Sequence, residues 1–160
     1  MSVNTENLRQ LVAQGLLAVK AGGRRAAEAT NDIQDDATDP DLKKALREGE
    51  ETSKEWRARV DRAMDKVGVE GEGENPIIEA HYEVAKKNRR EAPDDATRDL
   101  GIVATGQLAL HYWIAAFGTL GSYLKEMGET DAAEAMSRSV DEARRADEEH
   151  TRIAKQILGA

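Results

Sequence analysis

The chain has 160 residues, 34% of them charged, a net charge of −8 and no cysteine. That length suits one domain, residues 1–160, with a core of its own. The acidic balance argues against a nucleic-acid surface or an anionic lipid surface, both of which need a basic face, and the missing thiols exclude disulfides, thiolate metal sites and a cysteine nucleophile.

Met1 to Gln10 has no basic stretch followed by an apolar run, so the expected compartment is the cytoplasm. A first helix is predicted from near Thr5 to about Gln34. Its seam, Leu8, Val12, Gly15, Val19, Gly22, Ala26, Ala29 and Ile33, advances by alternating steps of four and three. Glycine inside a helix costs up to about 1 kcal/mol relative to alanine, so Gly15, Gly22 and Gly23 imply close approach of something bulky. A break at Gly22-Gly23 is the other reading.

Thr38-Asp39-Pro40-Asp41 is a start signal: a capping side chain, a proline at the first helical position, and acid at the positive end of the dipole. The second helix carries Leu42, Leu46, Gly49, Ser53, Trp56, Val60, Ala63 and Val67 on one face and closes at Gly68. Asn75-Pro76 opens a short third helix, with Ile77, Ile78, Tyr82, Val84 and Ala85 apolar, ending near Arg90. This reads as a crossover element.

Pro93 and Asp94-Asp95 restart the chain as its central helix. From Leu100 to Leu124 there is no Asp, Glu, Lys or Arg, and four of the six aromatic residues lie here. The seam is Val103, Gly106, Leu110, Trp113, Phe117, Leu120, Leu124 and Met127. The stretch is long enough for about 30 Å of hydrocarbon, but its polar residues and glycines and the absence of a basic flank favour a buried helix over a membrane span. After Gly128, Thr130 or Asp131 should cap a last helix that turns inward Ala132, Met136, Val140, Ala143, Ala146 or Asp147, His150, Ile153 or Ala154, and Ile157.

Four long seams and one short helix predict an all-α fold, a ferritin-like four-helix bundle with a crossover helix. Such bundles hold two metal ions through inward carboxylates and histidines. Here the mid-bundle positions are apolar or small.

Three runs resemble the YciF-like family of bacterial ferritin-like proteins. Leu108-Ala109-Leu110-His111-Tyr112-Trp113-Ile114-Ala115-Ala116-Phe117-Gly118-Thr119-Leu120 is similar to its Glu-His-Tyr-Glu-Ile-Ala-x-Tyr-Gly-Thr-Leu run. Glu50-Glu51-Thr52-Ser53 resembles its Glu-Glu-Thr-His, and Gly128-Glu129-Thr130-Asp131-Ala132-Ala133 through Asp147-Glu148 resembles its last helix. The resemblance implies a stress-associated role of undefined biochemistry. Carried across by residue, it implies that the metal ligands are lost, with Val19, Ser53, Leu110, Trp113 and Ala143 in their places. Glu50 and Asp147 match family acids, and His111 matches a family histidine.

A lost metal site would leave a destabilising void, so Trp113, facing Gly15, Gly22, Gly49 and Ser53, is expected to fill it. His111, one turn after Gln107, reads as a hydrogen-bonded core histidine, and His81 and Tyr82 as packing residues. The expected function is a non-catalytic, metal-free bundle with a structural or protein-interaction role, working as a homodimer without nucleic acid or membrane. One alternative is a residual iron or manganese site built from Glu50, His111, Asp147 and His150. The other is a small-molecule pocket in the bundle core.

Overall fold

A computed structural model describes residues 4–159; residues 1–3 and 160, the ends of the expected 1–160 domain, lie outside the described residues. Five helices follow one another: α1 (Thr5–Asp36), α2 (Pro40–Val67), α3 (Pro76–Glu91), α4 (Asp95–Glu126) and α5 (Thr130–Leu158). No strand occurs among the described residues.

Local chemistry sets most of the boundaries. Asn4, Asp39, Asn75 and Asp94 each accept a backbone N–H of the following first turn, and Pro40 and Pro76 start α2 and α3. Gly68 and Gly159 end α2 and α5 in the left-handed conformation, with φ of 71° at both. The start of α5 differs from expectation: Thr130 is its first helical residue, and Glu129 precedes it without a side-chain cap bond. α1 runs unbroken through Gly22-Gly23 and two residues past Gln34.

Hydrogen bonds fix the directions of the helices. Asp99 near the start of α4 accepts from Thr38 and Asp39 at the start of α2, so α2 and α4 run parallel. Arg9 on the first turns of α1 donates to the Val67 carbonyl at the end of α2, so these two are antiparallel. α2 packs on α1 and α5, and α4 packs on the same two, which puts α2 and α4 on a diagonal. α3, about 24 Å long at 1.5 Å per residue, carries the chain from one end of the bundle to the other. That single long crossover is the connectivity ferritin-like folds use.

Arg25 clasps α3 to α1, pairing with Glu79 and Glu83 at 3.0 Å and lying 5.5 Å above the Tyr82 ring. At the far end Arg89, buried, donates to Asp36 at 2.8 Å. Only Ile78 and Ala85 of the five expected apolar residues of α3 are buried; Ile77 and Val84 face solvent because a strap has a single neighbour-facing edge.

Among the described residues α4 alone is long and apolar enough to cross a membrane. Its inner face is the middle of the bundle, with Val103, Trp113, Phe117, Leu120 and Leu124 buried. Ile102 and Ala109 are also buried, whereas Gly106 and Leu110 are half-buried, so the seam drifts by about one position in its N-terminal half.

Candidate functional site

Three aromatic rings meet at mid-bundle. Trp113 stacks on Phe117 with centroids 5.7 Å apart, and Trp56 meets Phe117 edge-on at 5.4 Å and Trp113 at 6.5 Å. Trp56 also needs a partner for its indole N–H, and finds one on α5: Nε1 donates to Glu142 Oε2 at 2.8 Å. Arg59 one turn later donates to both oxygens of the same carboxylate, at 2.5 and 2.9 Å, and to Ser139 Oγ at 3.0 Å. The Arg59 guanidinium holds the Glu142 carboxyl below the usual carboxylate range, with the Trp56 N–H adding to the effect.

Beside these rings the bundle is open. A cleft of about 410 Å³ is lined by all five helices, with Ile33, Leu46, Tyr82, Leu110, Trp56 and Trp113 among its walls. A second cavity of about 210 Å³ lies on the α1 side, between Val19, Gly23, Val60 and Phe117, and the two tryptophans form the partition. The packed interior expected at this point is therefore corrected. Trp113 reaches toward Gly22, where an added Cβ would lie 2.9 Å from its Cη2, but Gly15 meets Leu120 and Gly49 meets nothing within 4 Å. One indole cannot cover four glycine and serine positions spread over two helices.

The five residues expected to fill that space occupy distinct places. Val19 lines the smaller cavity, Ser53 and Trp113 border both, Leu110 lines the larger, and Ala143 is fully buried in the core. These glycine contacts predict opposite effects for two alanines. Gly49→Ala should stabilise the protein by about 0.5–1 kcal/mol, because it improves helix propensity in free space. Gly22→Ala should destabilise it by about 1–3 kcal/mol, since its Cβ would also lie 2.6 Å from Asn75 Nδ2. Urea midpoints of the two variants check the pair.

The four residual metal candidates do not converge. Glu50 and His150 line the cleft, where Glu50 accepts from Gln34 Nε2 at 3.0 Å and pairs with Lys54 at 3.7 Å. His111 is exposed, contrary to its reading as a core histidine, because it falls on the outer face of α4; its Nε2 lies 3.2 Å from Asp147 Oδ2. Gln107 Nε2 donates to Asp147 Oδ1 at 3.1 Å. Among the described residues no group of three or more His, Asp or Glu could hold a metal ion. The two ions of ferritin-like bundles need converging carboxylates, and the side chains at mid-bundle do not fit them.

The buried histidine is His150. Its Nδ1 donates to the Ala146 carbonyl at 2.8 Å, and burial pushes its pKa down. Tyr82, also beside the cleft, is pushed up to about 12 by burial. Sequence reasoning missed Glu142: nothing in the spacing of Arg59 and Glu142 links two residues on different helices. The only signal was that a seam tryptophan requires a partner for its N–H.

A family model described as a domain of unknown function, DUF892, matches residues 7–160. Among solved structures, YcfI of Rhodopseudomonas palustris, whose description proposes a structural role, superposes with a TM-score of 0.86 at 25% identity, over 94% of this chain and 97% of its own. The E. coli stress protein YciF superposes with a TM-score of 0.90 at 18% identity, over 95% of this chain and 97% of its own. No curated protein matches the sequence.

Proposed function

The chain belongs to the DUF892 family, and from that premise we propose that it is a metal-free, non-catalytic bundle with a structural or protein-interaction role in stress, working as a homodimer. The descriptions of YcfI and YciF support the structural and stress-related parts of this reading. The observation that carries it is the outer face of α4. Ala104, Leu108, His111, Ala115, Thr119 and Ser122 are all exposed and span about 27 Å of helix. No acid, lysine or arginine interrupts them, although the rest of the surface is densely charged.

Leu108, 65% exposed, stands in that face. In a protein of net charge −8, a charge-free face is where two copies can meet without like charges opposing each other. Sedimentation velocity is expected to give a dimer, and Leu108→Glu a monomer of unchanged helicity; a monomeric wild type would overturn the reading. The same protein, purified without chelator, is expected to hold no stoichiometric iron, manganese or zinc and to leave added iron(II) unoxidised in air. One or two tightly held ions per chain would overturn the metal-free part.

A further inference from the structure

We propose that the larger cleft is a binding site for a neutral, mostly apolar small molecule bearing a hydroxyl group, whose proton His150 Nε2 accepts. This goes beyond the interaction role and stands whether or not two copies associate. At about 410 Å³ the cleft falls within the range of roughly 300–1,000 Å³ typical of small-molecule sites. Its walls supply apolar and aromatic surface from Leu46, Leu110, Trp56 and Trp113.

The polar element is His150. Since Nδ1 donates to a carbonyl, the neutral ring carries its proton there, and Nε2 is left as a bare acceptor. The residue is only 7% exposed, and Nε2 has no hydrogen-bond partner among the described residues. Burial that lowers its pKa keeps the ring neutral, and therefore accepting, at neutral pH. Across from it stands Gly106, where a Cβ would come within 2.9 Å of Nε2. Glycine at that place lets the imidazole edge lie against α4 without a clash. Among the described residues no side-chain polar atom is both buried and unpartnered, so Nε2 keeps contact with solvent, and a ligand hydroxyl would replace water there.

Charge selects a neutral ligand. The carboxylates around the cleft are already engaged, Glu48 with Lys44, Glu50 with Gln34 and Lys54, Glu142 with Arg59, and Glu149 with Arg152. A cation would find no free counter-ion, and an anion would meet four acids against Arg145.

The two tryptophans of the chain both line the cleft, so tryptophan fluorescence reports its occupancy directly. The test titrates the full-length chain with para-tert-butylphenol and with tert-butylbenzene, which lacks the hydroxyl. The phenol should give a saturable change and bind at least about tenfold more tightly than the hydrocarbon. His150→Leu should bring the phenol to the hydrocarbon's affinity. Gly49→Leu, whose side chain grows into space with nothing within 4 Å of its Cβ, should abolish binding of both while keeping the fold. No saturable change, equal affinity for the two probes, or binding that survives Gly49→Leu would each overturn the proposal. If His150→Leu fails to fold, the probe pair and Gly49→Leu still decide.

Discussion

Asp99→Ala is expected to lower the unfolding free energy by about 3–5 kcal/mol, a large loss for one small side chain. Asp99 is only 2% exposed. Its carboxylate accepts three hydrogen bonds from the turn before α2: Thr38 N at 2.9 Å, Thr38 Oγ1 at 2.6 Å and Asp39 N at 2.7 Å. Hydrogen bonds to a charged group contribute about 1.5–3 kcal/mol each and do not simply add. Alanine would also leave two backbone N–H groups without this acceptor. The exposed cap Asp94 provides the control, since Asp94→Ala should cost only about 1 kcal/mol. Asp99→Asn, which keeps an acceptor without the charge, should fall between the two. Urea denaturation measures all three, and a loss below about 1 kcal/mol for Asp99→Ala would show that this junction does not hold the starts of α2 and α4 together.

That junction also marks the limit of what the sequence discloses. Helix starts are legible because a cap and a proline act within a few residues: Asp39-Pro40 and Asn75-Pro76 set α2 and α3 where their chemistry says. The long seams are legible because burial repeats with the helical period, so Val12, Val19, Val60, Phe117, Leu120 and Met136 all prove buried. Asp99 is opaque, since an acid at the edge of an apolar run looks like a solvated residue until Thr38 is seen beside it. Periodicity likewise says which face turns inward but not how far apart opposing faces stand. It therefore led to a filled interior where Gly49, Ser53 and Leu110 in fact border a cleft. His111 departs from its expected core environment for a related reason, whereas His150 is buried as its seam position predicts. A one-position drift of the α4 seam moves His111 from the edge of the core to its outer surface, while His150 lies on the α5 seam throughout.

Trp113→Ala is expected to cost about 3–5 kcal/mol, the range for removing a large buried aromatic. Trp113 is 6% exposed, and its ring contacts Phe117, Trp56 and Tyr112, the last edge-on with centroids 5.0 Å apart. The cost should fall toward the lower end of that range. A cavity penalty depends on how far the neighbours can collapse, and here Leu110 and Trp56 already border open space and can move into it. The substitution would also remove the partition between the larger cleft and the smaller cavity. It should therefore weaken binding of a small phenol more than the loss of one wall contact would, because the ligand would no longer be held against His150. Trp113→Phe separates the two effects: it should restore part of the stability and, if the partition is what confines the ligand, only part of the affinity. Chemical denaturation and calorimetric titration of the same two variants test this. Stability within about 1 kcal/mol of wild type for Trp113→Ala would mean that the bundle is held together without its central ring.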